Sequence, residues 1–64
     1  MSLTYRETQV LQHLANGHST REAARKLGLS YFTVKNYRCK IRQKLGCVTM
    51  VEAIAEAFRE GIVK

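Results

Sequence analysis

Apolar residues recur at helical spacing in four stretches of this chain, separated by polar residues and glycines. In the first stretch Val10, Leu11 and Leu14 share a face, preceded by Thr4-Tyr5-Arg6-Glu7 and followed by Asn16-Gly17. A Thr4 hydroxyl accepting from the Glu7 amide, with the Glu7 carboxylate reaching back to the Thr4 N–H, is a reciprocal box that opens a helix. Ser19 and Glu22 repeat the box ahead of a narrow stripe of Ala23, Ala24 and Leu27, which Gly28 closes. Ser30 is suited to capping a third, longer helix, in which Val34, Tyr37, Ile41 and Leu45 fall on one stripe with Arg38 at its edge, and Gly46 ends it. Thr49 and Glu52 open a fourth. The pattern predicts an all-α, four-helix fold in a single domain over 1–64, with helices at about 5–15, 20–27, 31–45 and 50–60.

The second and third helices are joined by a turn containing Gly28, with the small Ala24 where the helices touch and Val34 as the apolar anchor of the second. Leu27 and Leu29 stand on either side of the turn, which makes the pair a helix-turn-helix. The fourth helix carries two apolar stripes. Met50, Ala53, Ile54 and Ala57 suffice to close the core, leaving Val51, Ala55, Phe58 and Ile62 without a partner; the alternative is that Phe58 and Ile62 fold back to cap the core and leave only Val51 and Ala55 exposed.

Size sharpens that point, because a chain of 64 residues hides only about 60% of its unfolded surface and gains from a partner. Charge then changes the picture. The net charge is +6, and the span from Ala23 to Val51 holds seven cations and no acid. On the third helix Phe32, Asn36, Cys39 and Gln43 point away from the apolar stripe, flanked by Lys35 and Arg42 on one side and Lys40 and Lys44 on the other. This acid-free surface, roughly 22 Å long, suits a polyanion such as nucleic acid. Charge alone equally describes a solvated face, and the preceding helix-turn-helix decides between them.

No apolar run approaches the ~20 residues needed to cross a bilayer, and the N-terminus lacks the plan of a signal peptide, so a cytoplasmic protein is expected. Cys39 and Cys47 are expected to be reduced, since two cysteines do not make the framework of a secreted miniprotein. With His13 and His18 they lack the spacing of a zinc site, and no metal or cofactor is expected. His13 borders the apolar face of the first helix as a half-exposed filler. Glu52, Glu56 and Glu60 lie on one helical face without a His or Ser partner, which argues against an enzyme.

The motifs Leu3-Thr4-x-Arg6-Glu7 with Val10-Leu11, Ala15-x-Gly17-x-Ser19, Glu22-x-Ala24, Leu27-x-Leu29-Ser30, Thr33-Val34-Lys35, Ile41-x-x-Lys44-Leu45-Gly46 and Glu52-Ala53 run in order through nearly the whole chain. In them the chain resembles the DNA-binding domain of the LuxR/FixJ/NarL regulators, the tetrahelical helix-turn-helix also found alone in GerE-type proteins. The resemblance implies a third helix in the major groove, a fourth that pairs with a second copy, and activation or repression of transcription. Lys35 matches the family's recognition-helix lysine, and Lys44 the lysine before Leu-Gly. Tyr37 replaces the more frequent His, Lys40 an Asn or Ser, Gln9 a second Glu, and Thr49-Met50 an Asn/Ser-Arg pair.

In such a domain, phosphate contacts supply affinity and register while base edges supply sequence. The front of the third helix nominates Phe32, Lys35, Asn36 and Cys39 for base reading: Lys35 toward guanine, Asn36 toward adenine, Phe32 or Cys39 against a thymine methyl. Thr20 at the start of the second helix, with Thr33, Arg38, Arg42 and Lys44, is nominated for the DNA backbone. Val51, Ala55, Phe58 and Ile62 are nominated for a homodimer on a pseudo-palindromic duplex, with RNA polymerase as a further candidate partner. Two rival readings are a protein-interaction module on the same scaffold and RNA binding. The acid-free helix disfavours the first. Against the second stands the lack of a stacking platform, since Tyr31 and Phe32 are expected to point different ways. The chain is expected to be either free-standing or a piece of a longer regulator.

Overall fold

The capping residues set the helix boundaries in the computed structural model, which describes residues 2–64. Helix α1 spans Tyr5–Ala15, α2 Thr20–Leu27, α3 Tyr31–Leu45 and α4 Met50–Arg59. Reciprocal capping boxes open α1, α2 and α4 at Thr4/Glu7, Ser19/Glu22 and Thr49/Glu52. Helix α3 has a simpler start, with Ser30 Oγ accepting from the Thr33 amide at 3.1 Å. Its N3 residue is Thr33, so no carboxylate returns the bond.

The two ends that frame α3 share one device. After α2 the Gly28 and Leu29 amides donate back to the Arg25 and Ala24 carbonyls, and after α3 those of Gly46 and Cys47 donate to Gln43 and Arg42. Both motifs need a residue at positive φ, here 69° at Gly28 and 68° at Gly46, which any Cβ would strain.

Helix α3 packs on each of the other three helices and so occupies the middle of the molecule. Val34 and Ile41 bury its inner stripe against Val10 and Leu11 of α1, Ala23 and Ala24 of α2, and Ala53 and Ala57 of α4. Tyr37 and Leu45 pack at the edge of this core. The alanines of α2 and α4 let these helices sit close to α3, the role their size suggested.

Three features depart from the sequence reading. Helix α4 stops at Arg59, one residue early. Beyond it Gly61 turns the chain, Val63 enters the core at 3% exposure, and Ile62 packs against that core instead of continuing the outer stripe of α4. The segment is fastened by Gln12, whose amide donates to the Lys64 carbonyl at 3.0 Å and accepts from the Lys64 amide at 3.1 Å. Finally, the Tyr31 and Phe32 rings meet edge-to-face, with centroids 5.8 Å apart.

Candidate nucleic-acid interface

Burial of Val34 and Ile41 forces the opposite side of α3 into solvent. Phe32, Lys35, Asn36, Cys39, Lys40 and Gln43 are all exposed there, and no acid stands among them. Phe32 is 72% exposed and does not pack into the core of the domain. The four residues nominated for base reading therefore share one accessible strip.

The nominated backbone contacts divide. Arg38 crosses from α3 to the first residue of α2, its Nη1 donating to Thr20 Oγ1 at 2.8 Å. Thr20 stands where the free amides of α2 converge, so a guanidinium and a helix N-terminus lie together, an arrangement suited to an anion. Arg38 Nε is buried and has no hydrogen-bond partner among the described residues. Arg42 turns back along α3, its Nη2 lying 3.3 Å from Cys39 Sγ. The Thr33 hydroxyl is 2.8 Å from that of Ser30. With Asn36, Tyr37 and Lys40, Thr33 lines a shallow recess on the flank of α3.

Lys44 is placed otherwise. Its Nζ lies 2.8 Å from Glu7 Oε1, in an ion pair whose side chains are 22% and 3% exposed. The same carboxylate oxygen accepts from the Thr4 amide at 2.7 Å. Burial pushes the Glu7 carboxyl up, but the Lys44 ammonium and the Thr4 cap outweigh it and hold the group below the ordinary carboxylate range. Lys44 thus joins α3 to α1 within the fold and is not a free cation on the outer face. Sequence reasoning saw the Glu7 cap and missed the ion pair.

On α4, Val51 is 77% exposed and Phe58 48%, with Ala55 also exposed. Ile62, nominated with them, belongs to the core edge instead. Arg21 and Tyr31, absent from the sequence reading of the site, meet where the start of α2 approaches the start of α3, the guanidinium carbon 4.6 Å from the ring centroid. Their only signal is an arginine early in α2 and an aromatic at the first position of α3. His13 and His18 face each other with Nδ1 atoms 3.2 Å apart. Among the described residues no three His, Cys, Asp or Glu side chains gather as metal ligands, and no helix is long and apolar enough to cross a membrane.

The family pattern described as bacterial regulatory proteins, luxR family, matches residues 1–57. This chain belongs to the luxR family. It has the DNA-binding helix-turn-helix domain of the family's transcription regulators. Its four-helix fold is that of the transcription factor GerE, with a TM-score of 0.92, 35% identity, and coverage of 97% of this chain and 92% of GerE. Among curated proteins, it is 39% identical over 62 residues to the transcriptional regulatory protein DesR of Bacillus subtilis (strain 168), covering 97% of this chain. The chain spans only 31% of the length of DesR. A Vibrio cholera VqmA–ligand–DNA complex contains a luxR-like region with a TM-score of 0.89 and 35% identity, covering 97% of this chain and 27% of VqmA.

Proposed function

We infer that this luxR-family domain reads duplex DNA by laying α3 in the major groove, as two copies related by a two-fold axis. The observation that carries the reading is the acid-free, solvent-facing strip of α3 directly opposite the stripe buried in the core. Lys35 donates to guanine O6/N7 and Asn36 pairs with adenine, while Phe32 and Cys39 supply apolar contact to thymine methyls. The Thr20–Arg38 pair, Thr33 and Arg42 bind the flanking phosphates and set the register. Lys44 is left out, because withdrawing it from Glu7 would strand a buried carboxylate. Val51, Ala55 and Phe58 cover each other across the two-fold axis, and the small Ala55 permits close approach of the two α4 helices. Two recognition helices then lie about 34 Å apart, one turn of the duplex, which demands a pseudo-palindromic site. The crystal structure of the similar VqmA in complex with DNA supports DNA as partner.

The test is selection of a random duplex library by the chain, followed by titration of the enriched site at several salt concentrations. If the dimer neutralises about eight phosphates, log K falls against log[salt] with a slope of roughly −7. Absence of enrichment, or a slope near zero, defeats the reading.

A further inference from the structure

Resting on that reading, we propose that Tyr31 is a positioning residue for DNA recognition, its ring gathering Arg21 of α2 and Lys35 of α3 into one preordered pair of cations. The guanidinium carbon of Arg21 is 4.6 Å from the Tyr31 ring centroid, and Lys35 Nζ is 5.6 Å from the same centroid. Both lie within the ~6 Å at which a cation is held by the electron-rich ring face. The two cations come from different helices, and both lie at the Tyr31 ring. Nothing acidic competes for them: Glu22, the nearest acid in sequence, is taken by the Ser19 cap at 2.8 Å, and the span from Ala23 to Val51 holds no acid. The Phe32 ring stands edge-on to Tyr31, with centroids 5.8 Å apart and planes at 74°.

The consequence for binding is preorganisation. Long side chains that are free in solution lose rotamer freedom when DNA immobilises them, and a ring that already orders two of them removes part of that cost. A stacked guanidinium keeps its in-plane N–H donors free, so Arg21 stays on the ring while donating to a phosphate beside the one bound by Thr20 and Arg38. Lys35 is thereby aimed from a fixed base at the groove floor. The division of labour makes Arg21 a phosphate contact, Lys35 a base contact, and Tyr31 the element that sets one relative to the other.

Two measurements test this. The first needs no DNA: in the folded 64-residue chain, the Lys35 ε-protons and Arg21 δ-protons are expected upfield of unstructured values, to stay so in Tyr31→Phe, and to relax in Tyr31→Leu. Unshifted protons in the unsubstituted chain overturn the proposal without any variant having to fold. The second uses a duplex enriched from a random library by the unsubstituted chain. Tyr31→Phe is expected to bind within about twofold of the parent and Tyr31→Leu about tenfold more weakly, with that loss shrinking to about twofold in a Lys35→Ala or Arg21→Ala background. An undiminished loss in both backgrounds, or no loss at all, overturns the positioning role. Failure of the parent chain to enrich any duplex is a distinct result, which removes the DNA reading itself.

Discussion

Lys44 and Glu7, 37 positions apart, meet at 2.8 Å and tie the last turn of α3 to the first turn of α1. Glu7 is only 2% exposed, and one of its two carboxylate oxygens, Oε1, serves both this ion pair and the Thr4 cap. Cap formation at the start of the chain and placement of the central helix are therefore coupled through a single carboxylate.

Lys44→Ala is expected to lower stability by about 2 kcal/mol, less than the full cost of breaking a buried pair because Lys44 is partly exposed and the Thr4 amide remains. Urea denaturation measures it. The salt slope of DNA binding is expected to stay unchanged; a slope reduced by about one, with stability intact, would return Lys44 to the phosphate contacts.

The depressed Glu7 carboxyl links stability to pH. Its folded pKa lies below the unfolded one, so the unfolded state binds more protons in acid. The contribution is complete above the ordinary glutamate value of 4.5 and is lost as pH falls through the lowered folded value. Urea midpoints followed from pH 7 down to pH 3 should drop less steeply in Glu7→Gln than in the parent. Equal steepness would place the acid sensitivity in other carboxylates, of which Glu22, lowered by its hydrogen bonds from Ser19, is the next candidate.

Lys35→Ala should weaken binding and relax preference at one base pair by about 1–3 kcal/mol, whereas Arg42→Ala should weaken all duplexes alike. A randomised-site selection with each variant separates the two effects. Sequence-blind losses from both would make Lys35 another phosphate contact.

Val51→Glu combined with Ala55→Glu should abolish cooperative binding to a full site and leave half-site affinity within about twofold of the parent, since neither residue contacts the core. Phe58, half-exposed at 48%, is a less clean probe because truncating it also removes packing. Cooperativity that survives the double substitution would move the interface off α4.

The sequence by itself determined the helices and their order, because the interactions that bound a helix are local. The boxes at Thr4/Glu7, Ser19/Glu22 and Thr49/Glu52 reach three residues along the chain, and the αL glycines act on the turn just completed. Periodicity likewise assigned Val34 and Ile41 inward and Phe32, Asn36 and Cys39 outward, so the exposed strip of α3 was legible before any packing was known. Tertiary structure decided which polar groups are spent within the fold. Lys44 and Lys40 look alike in sequence, yet one meets Glu7 across 37 positions while the other faces solvent. Arg38 reaches Thr20, Gln12 holds Lys64, and Arg21 finds the Tyr31 ring only because the helices cross at particular places. The end of the chain follows the same rule: Ile62 continues the α4 stripe by periodicity, but Gly61 breaks the helix and burying Val63 carries Ile62 onto the core.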